Sequence, residues 1–311
     1  MVIKSYPVSI LEDTTASLIL NSLRLVPKRI KYWGVLIIVR AWSLIAVRQR
    51  RVGAQNLKLA FPELNGTKRR AILKGEFESL TRTIKSLDDL ATITRENYTD
   101  FIEQTSDKEF LSQYKRIQDS GRGRIIIGAH LGNWEMLAFT YPMLFEPLHF
   151  ISRHLDNPLL HERLTRIRTR LGNVQIDKRK SAVTILRILK KGGAVGMLSD
   201  VNAVDAEGVF VPFFGMLAST NKGPAMLALR ADVPLIPIFS VWDKRIGKYV
   251  VVHGRVIEPI STGDVEDDVR LLTAEYTAEI ESCIRKYPDQ WLWIHRRWKN
   301  RPPGETDIYA R

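Results

Sequence analysis

The spacing of hydrophobic positions along this chain changes period repeatedly, and each change marks an element. Over 67–92, Ile72, Leu73, Phe77, Leu80, Ile84, Leu87 and Leu90 recur at three- and four-residue steps, which predicts one long amphipathic helix. Polar helices are expected over 96–105 and 108–118. Gly121 and Gly123 then break the pattern, and the β-formers of 124–129 read as a strand. From there strands and helices alternate. A helix over 132–145 precedes a strand at 148–152, and Asn157 before Pro158 opens a helix to 171, a cap followed by proline at the first helical position. A short strand at 174–176 leads to a helix from Ser181 that stops at Lys190-Lys191-Gly192-Gly193. Further on come a strand at 194–198, a short β segment at 209–214 and a helix at 222–231. Strands at 234–242 and 249–257 and a long helix at 265–286 close the chain.

Such alternation predicts an α/β fold, a mixed central sheet flanked by helices. In sheets of this kind ligands bind beyond the carboxyl ends of strands. His130 and Asp200 each follow a strand, so both belong to that face. The sequence shows no internal repeat and no low-complexity segment.

The N-terminal part has a different character. Between Thr14 and Pro62 there is no acidic residue, while basic residues run from Arg24 to Lys58. Residues 32–47 are apolar except for Arg40. This stretch is shorter than the ~20 residues a spanning helix needs, and a central arginine is costly in hydrocarbon. Trp33 and Trp42 beside flanking arginines suit a headgroup boundary. Residues 1–65 are therefore expected to form membrane-associating helices that lie in an anionic surface or insert shallowly, with 66–311 as the α/β domain. The alternative for the apolar stretch is an amphipathic helix packed on that domain.

The formal charge of the 311-residue chain is +13. Helix-turn-helix, zinc and aromatic-platform signatures are lacking, so no nucleic-acid partner is expected. The single cysteine, Cys283, excludes an internal disulfide framework and a cysteine-based zinc site. Beside Ile280 and Ile284 it reads as a small apolar core residue. The first residues carry no signal-peptide pattern, which makes a cytosol-facing protein the expectation.

The chemistry concentrates at 125–135, I-I-I-G-A-H-L-G-N-W-E. His130 ends a strand and Glu135 falls in the first turn of the next helix, where the helix dipole favours a carboxylate. If the turn doubles back, Glu135 holds one ring nitrogen and leaves the other as a general base. Gly132 permits close approach of a substrate, and amides at Gly132 and Asn133 could face a developing oxyanion. Spacing alone is not the evidence, because His253 and Glu258 repeat it in V-V-V-H-G-R-V-I-E-P. That segment runs as a strand toward Pro259, with no helix to fold the acid back. Serine-hydrolase elbows, phosphate-binding loops and dinucleotide fingerprints are absent. His149, His154 and His161 match no common ligand spacing, so neither metal nor cofactor is expected. With no protein nucleophile in view, His130 is expected to activate a substrate hydroxyl directly.

H-L-G-N-W-E at 130–135 resembles the His-four-residues-acid motif of glycerolipid-type acyltransferases, and its G-N-W-E form resembles the late acyltransferases of lipid A biosynthesis and the related phosphatidylinositol mannoside acyltransferases. Other blocks agree in order: N-L-K-L-A-F-P-E-L at 56–64, I-S-R-H-L-D-N-P-L-L at 151–160, G-V-F-V-P-F-F-G at 208–215, V-P-L-I-P at 233–237 and W-L-W-I-H-R-R-W-K-N-R-P-P-G at 291–304. The likeness spans almost the whole chain. It implies a glycerolipid acyltransferase-like fold in which His130 takes the proton from a lipid hydroxyl that attacks an acyl thioester, with Glu135 orienting His130. Arg153 and Asp200 match positions that shape the site, Arg153 stabilising the oxyanion or an acceptor phosphate. Phe210, Phe213 and Phe214 are either acyl-groove wall or core. Asp200-Val201 stands where the family often has Asp-Gln, a departure that removes a neighbouring amide.

The implied donor is acyl carrier protein or acyl-CoA, and the implied acceptor is an anionic glycolipid such as a lipid A precursor, at the cytoplasmic face of the inner membrane. Two other readings remain open. One is an acyl-CoA-dependent enzyme of another glycolipid or a lysophospholipid. The other is a non-catalytic basic protein that binds membrane or nucleic acid.

Overall fold

The structure, a computed structural model, describes residues 28–152, 158–177 and 181–310. Three helices come first: α1 (Lys28–Ile45), α2 (Val47–Ala60) and α3 (Gly66–Asp89). The α/β part follows as β1 (Ile102–Glu103), α4 (Lys108–Asp119), β2 (Arg124–Gly128), α5 (Trp134–Leu144), β3 (Leu148–Ser152), α6 (Pro158–Thr169), β4 (Val174–Asp177), α7 (Ser181–Lys190) and β5 (Ala194–Leu198). A hairpin of β6 (Gly208–Phe213) and β7 (Met216–Asn221) leads to α8 (Gly223–Ala231), β8 (Leu235–Asp243), β9 (Lys248–His253) and α9 (Val265–Lys286).

Seven strands form the central sheet in the order β1-β9-β8-β2-β5-β3-β4. All neighbours run parallel except β8 and β9, so the sheet is mixed, as the alternation predicts. The unbroken apolar run Ile125-Ile126-Ile127 is buried on both faces, the pattern of a central parallel strand. On one face Ile125 and Ile127 pack with α2, α7, α8, α9 and the tryptophans of 291–298. On the other, Ile126 packs with α4, α5 and residues around Ile93 and Ile102. Helices thus cover both sides of the strand that delivers His130.

Two expectations need correction. The helix expected over 96–105 is instead a 3-10 turn at Tyr98–Asp100 followed by β1, which adds a parallel edge to β9. Local side chains fold this segment back: Asn97 Oδ1 accepts from the Thr94 amide and Asn97 Nδ2 donates to the Thr92 carbonyl. The strand expected over 249–257 ends at His253, and Ile257 returns only through an isolated bridge to Leu235.

The long helix α3 forms as its periodicity predicts, yet it buries a second stripe as well. Phe77 and Leu90 are buried, whereas Ile84 and Leu87 are exposed. The polar residues Glu76, Ser79, Thr83 and Ser86, three to four apart and so on one face, are all buried. α3 therefore shows its hydroxyls to the interior and part of its apolar stripe to the surface.

The N-terminal helices divide their loyalties. α1 buries Leu36 and Val39 while exposing Ile30, Trp33, Ile37, Ile38 and Ile45. Among the described residues no helix is long and apolar enough to cross a membrane. α2 contributes Leu57 and Ala60, with Phe61 just beyond it, to the main core, and Asn56 Nδ2 donates to the carbonyls of Trp293 and His295. The core thus reaches back across the division expected near residue 65.

Candidate active site

The register of two neighbouring strands creates the site. β2 and β5 are parallel with Gly128 opposite Leu198, so the residues two places beyond those ends, His130 and Asp200, emerge side by side. Asp200 Oδ1 accepts from His130 Nδ1 at 2.9 Å, and Asp200 Oδ2 accepts from the His130 backbone amide at 2.8 Å. Trp291 Nε1 donates to the same Oδ2 at 2.8 Å. With the Nδ1 proton committed to Asp200, the lone pair of neutral His130 lies on Nε2. The edge of Trp134 packs against the ring, with centroids 4.9 Å apart.

Electrostatics follow from this packing. Burial disfavours imidazolium at His130, but the Asp200 carboxylate outweighs it through charge and hydrogen bond, with Glu135 adding by charge alone, and the pKa rises above its ordinary value. Burial likewise pushes the Asp200 carboxyl up, and the His130 charge with the three donated hydrogen bonds overcomes this and holds it low.

Glu135 stands in the first turn of α5 as expected, but its carboxylate is taken by Arg168 of α6, at 2.7 and 3.1 Å. The ring N–H that the motif assigns to Glu135 is accepted by Asp200. The physical reason lies in the turn between them. Gly132 has φ +61° and bridges to Ser240 of β8, so the chain crosses the sheet end before α5 begins.

That turn is fastened on every side. A Cβ on Gly132 would lie 1.8 Å from the Ser240 carbonyl oxygen, so only glycine fits. The Gly132 amide donates to the Gln290 carbonyl at 2.9 Å and the Asn133 amide to Ser240 at 3.1 Å. Both N–H groups are therefore spent on the fold, against the expectation that they face an oxyanion. Asn133 instead caps α5 by accepting from the Met136 amide, and its Nδ2 donates to Ser86 on α3. Thr83 donates to the Gly132 carbonyl at 3.1 Å. The buried hydroxyls of α3 are thus what the turn carrying His130 rests on.

A small cleft, with room of the order of one water molecule, lies beside the imidazole, lined by Glu76, Ser79 and Leu80 of α3, His130 and Gly132 of the turn, Trp134 of α5, and Gln290–Leu292. Among the lining groups Glu76 was not singled out by sequence. Its signal is an acid three residues after Leu73 and four before Leu80, on the spacing of the apolar positions.

The other described candidates do not line this cleft. Phe213 and Phe214 are buried against Phe61, Trp291, Trp293 and Trp298, which makes them core, and Phe210 is half-buried on the hairpin. Arg153 and His154 lie outside the described residues. His253 stacks on Phe110 and faces Asp107, while Glu258 pairs with Arg122, so the second His-four-residues-Glu never meets. His149 bonds the Ala194 carbonyl and His161 neighbours Gln175; among the described residues no cluster of metal-ligating side chains occurs. His295 Nε2 accepts from the Asn202 amide, and Arg297 is fully buried on Ser219 and Thr220. Burial pushes the Cys283 thiol up to about 12, fitting a core residue.

Comparison with known proteins identifies the family. Residues 11–300 match the family described as bacterial lipid A biosynthesis acyltransferase. The chain is 29% identical to the lipid A biosynthesis lauroyltransferase of Escherichia coli K12, over 84% of this chain and 83% of that protein. It is 28% identical to the palmitoleoyltransferase of the same organism, over 84% and 82%. A phosphatidylinositol mannoside acyltransferase of Mycolicibacterium smegmatis is 24% identical over 58% of each chain. Motif blocks, an α/β sheet and a match across nearly the whole length lead to one conclusion: this chain belongs to the bacterial lipid A biosynthesis acyltransferase family, and it is an acyltransferase.

Proposed function

We propose that the protein transfers a fatty acyl chain from an acyl thioester to a hydroxyl of a lipid A precursor, with His130 as general base. The observation that carries this reading is the paired grip of Asp200 on His130, which leaves Nε2 as the basic nitrogen beside a small cleft. In the reaction the acceptor hydroxyl oxygen attacks the thioester carbonyl carbon while its proton passes to Nε2. The carbonyl electron pair moves to oxygen. As the tetrahedral intermediate collapses, the carbon–sulfur bond breaks and the thiolate takes the proton from the imidazolium. An ester and a thiol result, and His130 is neutral again. Trp291 holds Asp200, and Asp200 holds the ring, so no reorientation is needed between the two proton transfers.

The donor is acyl carrier protein or acyl-CoA, and the +13 formal charge favours an acidic carrier protein. The exposed apolar face of α1 supports peripheral attachment at the cytoplasmic face of the inner membrane, where the acceptor resides. Arg153 serves the acceptor phosphate or the oxyanion. Purified protein with a lipid A precursor and an acyl thioester tests the reading directly. Wild type should form the ester, and His130→Ala should abolish transfer while binding to liposomes persists. Transfer retained by that variant would overturn the mechanism.

A further inference from the structure

Among the described residues, no cation pairs with the acid Glu76. It lies on the buried stripe of α3, 1% exposed, and lines the same cleft as His130. Its Oε1 accepts from the Ile294 amide at 3.1 Å, while Oε2 is equally buried and has no partner. Burial raises its pKa well above the usual carboxylate range, and the amides of Ile294 and Trp293 offset this only in part; no charged side chain contributes. Among the described residues, His130 lines the same cleft with Asp200 bonded to its ring, Asp289 packs on Gly75 and faces Lys244, and α2, which packs on α3, carries Arg48, Arg50 and Arg51.

A neutral carboxyl has one O–H to give. Because Oε1 already accepts from an amide, the proton belongs on Oε2, the atom left without a partner. A buried donor without an acceptor is rare in folded proteins, and in a residue that lines the cleft beside His130 it points to a ligand atom. Several of the nearby donors have other duties, while the Ser79 hydroxyl, three residues on along α3, lines the same cleft. The amides of Gly132, Asn133 and Leu292 go to the carbonyls of Gln290, Ser240 and His130. The side chain of Gln290 pairs with the Trp242 backbone, and Trp291 Nε1 serves Asp200.

We infer that Glu76 is a catalytic residue, donating a hydrogen bond from Oε2 to the thioester carbonyl oxygen and stabilising the negative charge that develops there. This rests on the acyl-transfer reading and adds a residue to it. The covalent steps are unchanged: the hydroxyl proton still travels through His130 to the departing thiolate, and the Glu76 proton stays on Glu76 throughout. A neutral acid donating to an oxyanion in an apolar site is established chemistry.

The test compares the full-length wild type with Glu76→Met and Glu76→Gln. For Glu76→Met, kcat should fall roughly 100- to 1,000-fold with little change in KM, as expected for a donor engaged in the transition state. Glu76→Gln keeps an N–H donor of similar shape and should lose at least about tenfold less. Wild-type kcat should also decline at alkaline pH as Glu76 ionises, and Glu76→Gln should lack that limb. Infrared difference spectra of wild type against Glu76→Gln should show a protonated carboxyl band at neutral pH. That band needs no turnover, so a wild type that fails to acylate the glycolipid would refute the acyl-transfer reading while the band still reports on the carboxyl. Wild-type kcat in a folded Glu76→Met, equal losses in both variants, or an ionised carboxyl at neutral pH would each overturn the proposal. Should Glu76→Met fail to fold, the alkaline limb and the infrared band decide.

Discussion

Asp200 grips His130 at two points, the ring through Oδ1 at 2.9 Å and the backbone amide through Oδ2 at 2.8 Å. One carboxylate therefore fixes both the imidazole and the turn that carries it. Asp200→Asn keeps the shape but loses the charge and can invert the tautomer, so kcat should fall roughly 10³- to 10⁴-fold. The pH dependence has a definite sign. His130 acts as a base only when neutral, and Asp200 raises its pKa. Activity in the wild type should thus rise with pH through a value above that of an ordinary imidazole. Without the carboxylate that acid limb should move to lower pH. A profile of kcat/KM against pH measures it, and an unmoved limb would contradict the assignment.

Glu135 makes a contrasting case. It influences His130 by charge while its oxygens are occupied by Arg168. Glu135→Gln should shift the acid limb in the same direction as Asp200→Asn but by less, and its loss in kcat should be smaller by at least about an order of magnitude. A double-mutant cycle with Arg168→Gln should show coupling between the two, because removing either leaves the other half-buried and unpaired. Equal effects of the Glu135 and Asp200 substitutions would put the orienting role back on Glu135.

What could be read from sequence, and what could not, follows from the range of the interactions. The strand at 124–128, the helix after it and α9 at Val265–Lys286 are fixed by local pattern and caps, and they were legible. So was His130 at a strand end. The identity of its partner depends on β2 and β5 being neighbours in register, a pairing between segments seventy residues apart that periodicity does not encode. Glu135 is the partner that the strand–turn–helix context and the family motif suggest, and the bridge from Gly132 to Ser240 that redirects the turn comes from β8, still farther along the chain. On α3 the apolar stripe was legible, but the hydroxyl stripe beside it makes sense only once the turn after His130 lies against it.

Gly132 should be intolerant for reasons of backbone rather than chemistry. Its φ of +61° disfavours any side chain, and a methyl group would meet the Ser240 carbonyl, which belongs to a central strand and cannot yield. Gly132→Ala is expected to cost roughly 2–4 kcal/mol of stability. Denaturant titration should show the midpoint falling with little change in slope. Activity should fall as well, because the displaced turn carries His130. A variant of wild-type stability would mean the turn has another conformation available.

The surface of α1 allows the membrane proposal to be tested without touching the site. Ile38 is 69% exposed in a row with Ile37 and Trp33, on a helix whose other side, Leu36 and Val39, is buried. Inserting an isoleucine into the acyl boundary is worth roughly 1.5–3 kcal/mol, and a carboxylate there also repels anionic lipid. Ile38→Glu should therefore weaken binding to anionic liposomes at least about tenfold, by the same arithmetic. Val183 on α7 is exposed to the same 69% but is not part of α1, so Val183→Glu controls for the loss of one surface apolar group. If α1 is the docking face, only the first substitution releases the protein from vesicles in a sedimentation assay. Transfer to acceptor presented in vesicles should then fall in parallel, while transfer to detergent-dispersed acceptor stays near wild type, since Ile38 does not line the cleft. Equal binding by both variants would remove α1 from the membrane interface.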